Sequence, residues 1–178
     1  MKNQISDIDK SHYEMIRKNV MLFLKNQSDV LDGDDIIMLD VAPQVHEGAR
    51  AFFKKSRVET LDIDPSSNAT YIADLCRDNT DIIPSCRFDV VVCTEVLEHT
   101  LDPFSAVREL YRILKQNGTL LLSVPFNFRI HGPLPDCWRF TEHGLRQIMK
   151  DFSEVQIEEL PAEDRWLMPI QYTVRARK

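Results

Sequence analysis

A chain of 178 residues, 43% apolar and 28% charged, has the size and composition of one self-sufficient globular domain. No run is long and apolar enough to cross a bilayer, and the opening MKNQISDIDK lacks the apolar core of an export signal, so a cytoplasmic protein is expected. A net charge of −6 argues against a nucleic-acid partner, and the four cysteines (Cys76, Cys86, Cys93, Cys137) have the spacing of neither a zinc site nor a disulfide framework.

Residues 12–26 place Tyr13, Ile16, Val20, Phe23 and Leu24 on one stripe, which predicts an amphipathic helix within an N-terminal segment 1–30. After the polar turn QSDVLDGDD, the apolar run IIMLDV (36–41) reads as a strand buried on both faces. A helix is expected over about 47–55 with Ala49, Phe52 and Phe53 inward. RVETLDID (57–64), TYIAD (70–74) and FDVVVC (88–93) follow as strands. Asp102 before Pro103 is a helix start, with Phe104, Val107, Tyr111 and Leu114 on the buried side and Gly118 as the stop. TLLLSV (119–124) is another apolar strand. Residues 125–140 form a long loop carrying three prolines, Thr141 caps a helix to about Lys150, and VQIEEL and the tail after Trp166 finish as strands. Strands and helices in alternation predict an α/β fold, a doubly wound, mostly parallel sheet in a single domain 1–178. Residues 36–124 would be its cofactor-binding core, and 125–178 an acceptor loop, a helix and the terminal strands.

Ligands of such sheets lie at the carboxyl ends of the strands. Four successive strand ends carry polar or acidic groups: Asp40, then Asp62 and Asp64, then Asp74, then Thr94 and Glu95. Asp62 lies 22 residues after Asp40, the distance at which a second-strand carboxylate accepts both hydrogens of a ribose diol. The turn after the first strand, Ala42-Pro43-Gln44, has no glycine, Pro43 has no N–H, and Glu47 opens the next segment with a negative charge. That disfavours NAD, FAD and ATP, and leaves a ribose-and-adenine cofactor without phosphate, S-adenosyl-L-methionine.

The segments LDVAPQVHEG, ETLDIDPS, YIADL, FDVVVCTEVLEHTLDPFSAVRELYRILKQNGTLLLSVPF and HGPLPDCWRFTEHGL resemble class I S-adenosylmethionine-dependent methyltransferases over about residues 36–150. The resemblance implies a seven-stranded Rossmann-like sheet with a reversed last strand. It assigns Asp40 to the methionine amino group, Asp62 with neighbouring Ile63 to the ribose, Asp74 with Leu75 to the adenine, and Thr94 and Glu95 to the methionine moiety. Ala42-Pro43-Gln44 replaces the family's G-x-G: Ala42 is a small change if its φ is negative, and Gln44 either reaches the cofactor or blocks it. DCWRFT resembles the D-Y-W-R-F-T signature of a branch associated with glycans and surface polysaccharides, which points to a small-molecule hydroxyl acceptor such as a sugar or nucleotide-linked sugar. The absence of a lid insertion leaves room for a bulky acceptor or a second subunit, so a homodimer is one expectation. The altered turn also fits a different class of protein, a non-catalytic binding or regulatory module that keeps the fold.

Methyl transfer to a hydroxyl needs alignment and a base, and His131 and His99 are the candidates. In the loop HGPLPDCWRFT, Asp136, Trp138 and Arg139 form an acceptor wall on one reading, with Arg139 meeting an anion. On the other, Trp138 and Phe140 anchor the loop and Arg139 is scaffold. No metal is expected. Glu95, Glu98 and His99 would nonetheless share a face if helical, with His131 as a further ligand. Their E-x-x-E-H spacing resembles metal-dependent O-methyltransferases of quinone biosynthesis and of small-RNA 2′-hydroxyl methylation.

Overall fold

The structure, a computed structural model, describes residues 5–43 and 47–178. It contains the helices α1 (Asp7–Leu31), α2 (Pro103–Ile113) and α3 (Glu142–Ile148). The strands are β1 (Ile37–Val41), β2 (Arg57–Asp62), β3 (Tyr71–Ile72), β4 (Phe88–Thr94), β5 (Leu114–Pro125), β6 (Glu154–Leu160) and β7 (Gln171–Arg177). They form one seven-stranded sheet in the order β3-β2-β1-β4-β5-β7-β6. The strands from β3 to β5 pair in parallel, whereas β7 runs antiparallel to both β5 and β6. The expected doubly wound sheet with a reversed last strand is present, and the carboxyl ends of β1, β2, β3, β4 and β5 share one edge.

The central strands are buried on both faces because both are covered. On one face Phe23 and Leu24 of α1 pack on Met38, Val90, Val92 and Leu121. On the other, Val107 and Leu110 of α2 and Leu145 of α3 pack on Leu39, Val91, Leu120 and Leu122. Ser6 starts α1 by accepting the Asp9 N–H (3.1 Å), and Asp102 starts α2 by accepting that of Ser105 (3.0 Å), with Pro103 at the first position. Tyr13 and Phe104, expected to be buried, are 50% and 54% exposed, because each helix presents a narrower stripe to the sheet than the apolar pattern suggests.

Several predicted elements differ: α1 runs through Leu31 into the stretch expected as a polar turn, and β3 spans two residues rather than 70–74. The helix over 47–55 is only a 3-10 turn, Gly48–Ala51. The carboxylate of Asp32 accepts the N–H groups of Lys54, Lys55 and Ser56 at 2.9–3.1 Å, which ends any helix and turns the chain into β2. Ala49 and Phe53 still face inward. Helix α2 stops at Ile113, not Gly118, because Leu114 already pairs with Phe88. Gly118 sits inside β5 after a register shift, where a Cβ would lie 2.9 Å from the Lys115 carbonyl and 3.2 Å from that of Asp89.

The two-residue strand β3 is held by a buried acid. Glu59, 4% exposed, accepts from Arg87 at 2.6 and 3.0 Å and from the Tyr71 hydroxyl at 2.8 Å. Burial pushes the Glu59 carboxyl up, but these donors outweigh it and hold it below the usual range. Its stabilisation is therefore full above the ordinary glutamate pKa and lost as the pH falls through the lowered value. Glu59→Gln should cost about 1–3 kcal/mol at neutral pH. Urea unfolding should show the difference from wild type holding down to about pH 4 and shrinking below it.

Candidate active site

Asp40 ends β1 with 4% exposure, and its carboxylate accepts the Ala49 N–H at 2.7 Å. Burial pushes its carboxyl up to about 6, against the opposing Ala49 bond and the charge of Arg50. Gly48 packs against this carboxylate with φ +56, and a Cβ there would lie 2.2 Å from Asp40 Oδ2 and 2.9 Å from the Pro43 Cβ. Only glycine fits. Sequence reasoning missed Gly48, whose one signal was a lone glycine shortly after a strand-end acid. Ala42 has φ +51, so the condition for an innocuous replacement of glycine is not met. Its N–H bonds the Leu61 carbonyl at 2.7 Å, which holds it in this conformation. Gln44 lies outside the described residues.

Two cavities flank Ala42. One, of about 310 Å³, lies between α1 and the strand ends and is lined by Ile16, Arg17, Asp40, Thr94 and Glu95. The other, of about 210 Å³, is lined by Asp62, Ile63, Asp74, Leu75, His99 and Leu101. Val41 and Ala42 line both. Asp62 Oδ1 accepts the Asp64 N–H at 2.9 Å, and Asp74 Oδ1 accepts that of Cys76 at 2.8 Å, so each carboxylate is oriented by its own turn. Asp64 is committed to capping Ser66. All eight residues expected at the cofactor therefore stand around two adjoining cavities: Asp40, Ala42, Thr94 and Glu95 around the first, and Ala42, Asp62, Ile63, Asp74 and Leu75 around the second.

Beyond β4 the chain does not form a helix. Glu95 has φ +54, and Leu97–His99 is a 3-10 turn, so Glu95 does not share a helical face with Glu98 and His99. The group brought together is Glu98, His99 and His131, each with one ligand-type atom within 4.8 Å of the others. His99 Nδ1 lies 2.9 Å from the Pro135 carbonyl; a carbonyl can only accept, so Nδ1 donates the proton of this bond and Nε2 is turned the other way. That Nε2 and His131 Nε2 are each 3.8 Å from Glu98 Oε1. Glu98 is fully buried, and neither oxygen has a hydrogen-bond partner among the described residues. Burial, then the charges of Glu95 and Asp136, raises its carboxyl well above the usual range. His131 Nδ1 stands 3.0 Å from Asp136 Oδ2 without the alignment of a hydrogen bond, and burial lowers the pKa of this imidazole.

The loop after β5 is held from within. Arg139 donates to both oxygens of Asp136, one at 2.7 Å, and to the carbonyls of Arg129 (2.9 Å) and Trp138 (2.7 Å). The Arg139 bond, opposed by burial, takes the Asp136 carboxyl down to about 2. The polar atoms of Asp136 and Arg139 are thus engaged with each other and with backbone, the arrangement the scaffold reading of this loop expects. Trp138 donates to the Thr100 carbonyl (2.8 Å), stacks on buried Phe140 and remains 39% exposed, so it both anchors the loop and shows a face to solvent.

This layout, acids on successive strand ends of a sheet whose last strand is reversed, is that of class I methyltransferases. The chain belongs to the methyltransferase-domain family, which it matches over residues 12–175. It is similar in fold to an S-adenosylmethionine-dependent methyltransferase from Archaeoglobus fulgidus, with TM-score 0.68 and 16% identity over 91% of this chain and 94% of that one. A second such structure, from Methanosarcina mazei, gives TM-score 0.60 and 16% identity over 83% and 94% of the two chains. In sequence, 91 residues are 34% identical to a ubiquinone biosynthesis O-methyltransferase of Xanthomonas oryzae pv. oryzae. The match spans 51% of this chain and 34% of that protein.

Gly48→Ala should lower the melting temperature and weaken S-adenosylhomocysteine binding by more than about tenfold, because Asp40 must move. Ala42→Gly should instead stabilise the fold by about 0.5–1 kcal/mol, the left-handed cost relieved less the extra glycine entropy. Urea denaturation of both variants checks the opposite signs.

Proposed function

We propose that the protein transfers a methyl group from S-adenosyl-L-methionine to a hydroxyl of a small polar acceptor, in the class of a sugar or nucleotide-linked sugar. The observation that carries the reading is the pair of cavities meeting at Ala42, each lined by oriented carboxylates. Asp62 and Asp74 offer acceptor oxygens to a ribose diol and an adenine amino group, and Asp40 offers negative charge to a cationic amino-acid end. Methylation of oxygen is supported by the name of the Xanthomonas relative, and the sugar class by the DCWRFT motif.

The bound cofactor supplies an electrophilic methyl group whose leaving group is a neutral thioether, so no acid is needed to expel it. The protein's tasks are to align the acceptor and remove its proton. His131 serves as the base: burial lowers its pKa and so favours the neutral imidazole, and its Nε2 lies 3.8 Å from Glu98 Oε1 beside His99, with ring centroids 4.9 Å apart. Trp138 presents an exposed aromatic face at the same edge.

A second reading rests on Glu98. A fully buried carboxylate without a hydrogen-bond partner among the described residues, flanked by two imidazole Nε2 atoms, is a ligand set for a divalent cation. On the base reading Glu98 is instead neutral, in line with its raised pKa.

Asp62→Ala should weaken S-adenosylhomocysteine binding by more than about tenfold by calorimetry without unfolding the protein. S-adenosylmethionine affinity should fall as the pH drops through about 6, where Asp40 takes up a proton and loses the charge that attracts the ammonium. Wild type that binds neither ligand would end the proposal.

His131→Ala should lower kcat by roughly 10²–10⁴ with cofactor affinity unchanged. Activity should survive EDTA and desalting. Loss restored by Mg²⁺ or Mn²⁺ would transfer Glu98, His99 and His131 to the metal reading.

A further inference from the structure

Glu95 is not oriented by its own turn. Its Oε1 accepts two bonds, from Ser123 Oγ on β5 (2.7 Å) and from Gln171 Nε2 on β7 (2.7 Å). The other end of Gln171 continues the chain: its Oε1 accepts from Asn19 Nδ2 on α1 at 2.8 Å. Ser123 and Gln171 are both fully buried. The direction of the relay is dictated by chemistry. A carboxylate can only accept, so Gln171 must turn its NH₂ to Glu95 and its oxygen to Asn19, whose NH₂ then donates. With Oε1 doubly engaged, Glu95 Oε2 accepts nothing from the described residues, and Glu95 lines the cavity it shares with Asp40 and Arg17.

A passive scaffold does not call for this arrangement. Burying Ser123 and Gln171 fully, with Asn19 and Glu95 half-buried beside them, is costly unless each is satisfied, and apolar residues would fill the same space more cheaply. What the relay achieves is one rotamer for a carboxylate that already sits on a positive-φ residue. It also makes that rotamer depend on α1, which supplies Ile16, Arg17 and Val20 to the same cavity.

We propose that Ser123, Gln171 and Asn19 are positioning residues that hold the free oxygen of Glu95 toward the cationic sulfonium end of the cofactor, so that seating of α1 and recognition of the charged donor are one event. This rests on the cofactor assignment above. S-adenosylmethionine carries the sulfonium charge and S-adenosylhomocysteine does not, so the relay should matter to the first ligand more than to the second. Burial pushes the Glu95 carboxyl up, and the Gln171 and Ser123 bonds oppose that push by favouring the ionised form; the ionised group favours the charged donor over its neutral product, which aids product release.

The test is calorimetry of both ligands on wild type, Ser123→Ala, Gln171→Leu, Asn19→Ala, Glu95→Gln and the double variant Glu95→Gln/Gln171→Leu, with melting temperatures recorded for each. Ser123→Ala and Gln171→Leu should weaken S-adenosylmethionine about tenfold and S-adenosylhomocysteine less than about threefold, a loss typical of charge-assisted hydrogen bonds. Asn19→Ala should act in the same direction and less strongly. In the Glu95→Gln background the Gln171 change should alter the ratio of the two affinities by less than about twofold, since the two residues act as a unit. If Gln171→Leu fails to fold, Ser123→Ala, which removes one hydroxyl, decides alone. Equal weakening of both ligands, or an effect that persists without the Glu95 carboxylate, would overturn the proposal. Wild type that binds neither ligand would overturn the cofactor assignment beneath it.

Discussion

The carboxylate of Asp40 is the constraint around which the site is built. It is buried at the end of a central strand and holds one backbone N–H, that of Ala49. Reaching that N–H draws the chain back over the strand end so closely that residue 48 must be glycine in the left-handed region. Ala42 takes the same region on the other side of Pro43, where its N–H reaches β2. The described part of the segment before β2 holds only the 3-10 turn Gly48–Ala51, and α1 lines the space above the strand ends. A buried acid beside a cavity favours a cationic ligand group there.

The region around His99 and His131 is organised differently. There the backbone carbonyl of Glu98 receives the N–H groups of Cys137 and Trp138 at 2.8 and 3.2 Å, tying the long loop to the turn after β4. Arg139 and Asp136 lock the loop on itself. His99 and His131 come from segments far apart in sequence, and these two ties, together with the His99–Pro135 bond, bring them to one buried carboxyl group. The loop contributes shape and one aromatic face, while its charged residues serve to hold it.

Much of this was legible in the sequence. Doubly apolar runs such as IIMLDV and FDVVVC announce strands covered on both faces, and acids at their ends announce the ligand edge, because both follow from local patterning. What was hidden depends on contacts between distant segments. Ser123 and Gln171 read as strand residues, and nothing local shows that they converge on Glu95. EVLEH suggests a helical face, but the positive φ of Glu95 and the 3-10 turn after it separate that residue from Glu98 and His99. The Asp32 carboxylate that ends the segment before β2 acts from more than twenty positions upstream, so the apolar spacing of Ala49, Phe52 and Phe53 predicted a longer helix than forms. Arg139 reads equally well as an anion contact or a latch until its carbonyl partners are seen.

A crystal structure of the protein soaked with S-adenosylhomocysteine tests the central claim most directly. The ligand should cross Ala42, with its ribose hydroxyls on Asp62, its adenine amino group on Asp74 and its ammonium facing Asp40. Density for the ligand elsewhere, or both cavities empty at saturating concentration, would contradict the assignment of this edge as the cofactor site.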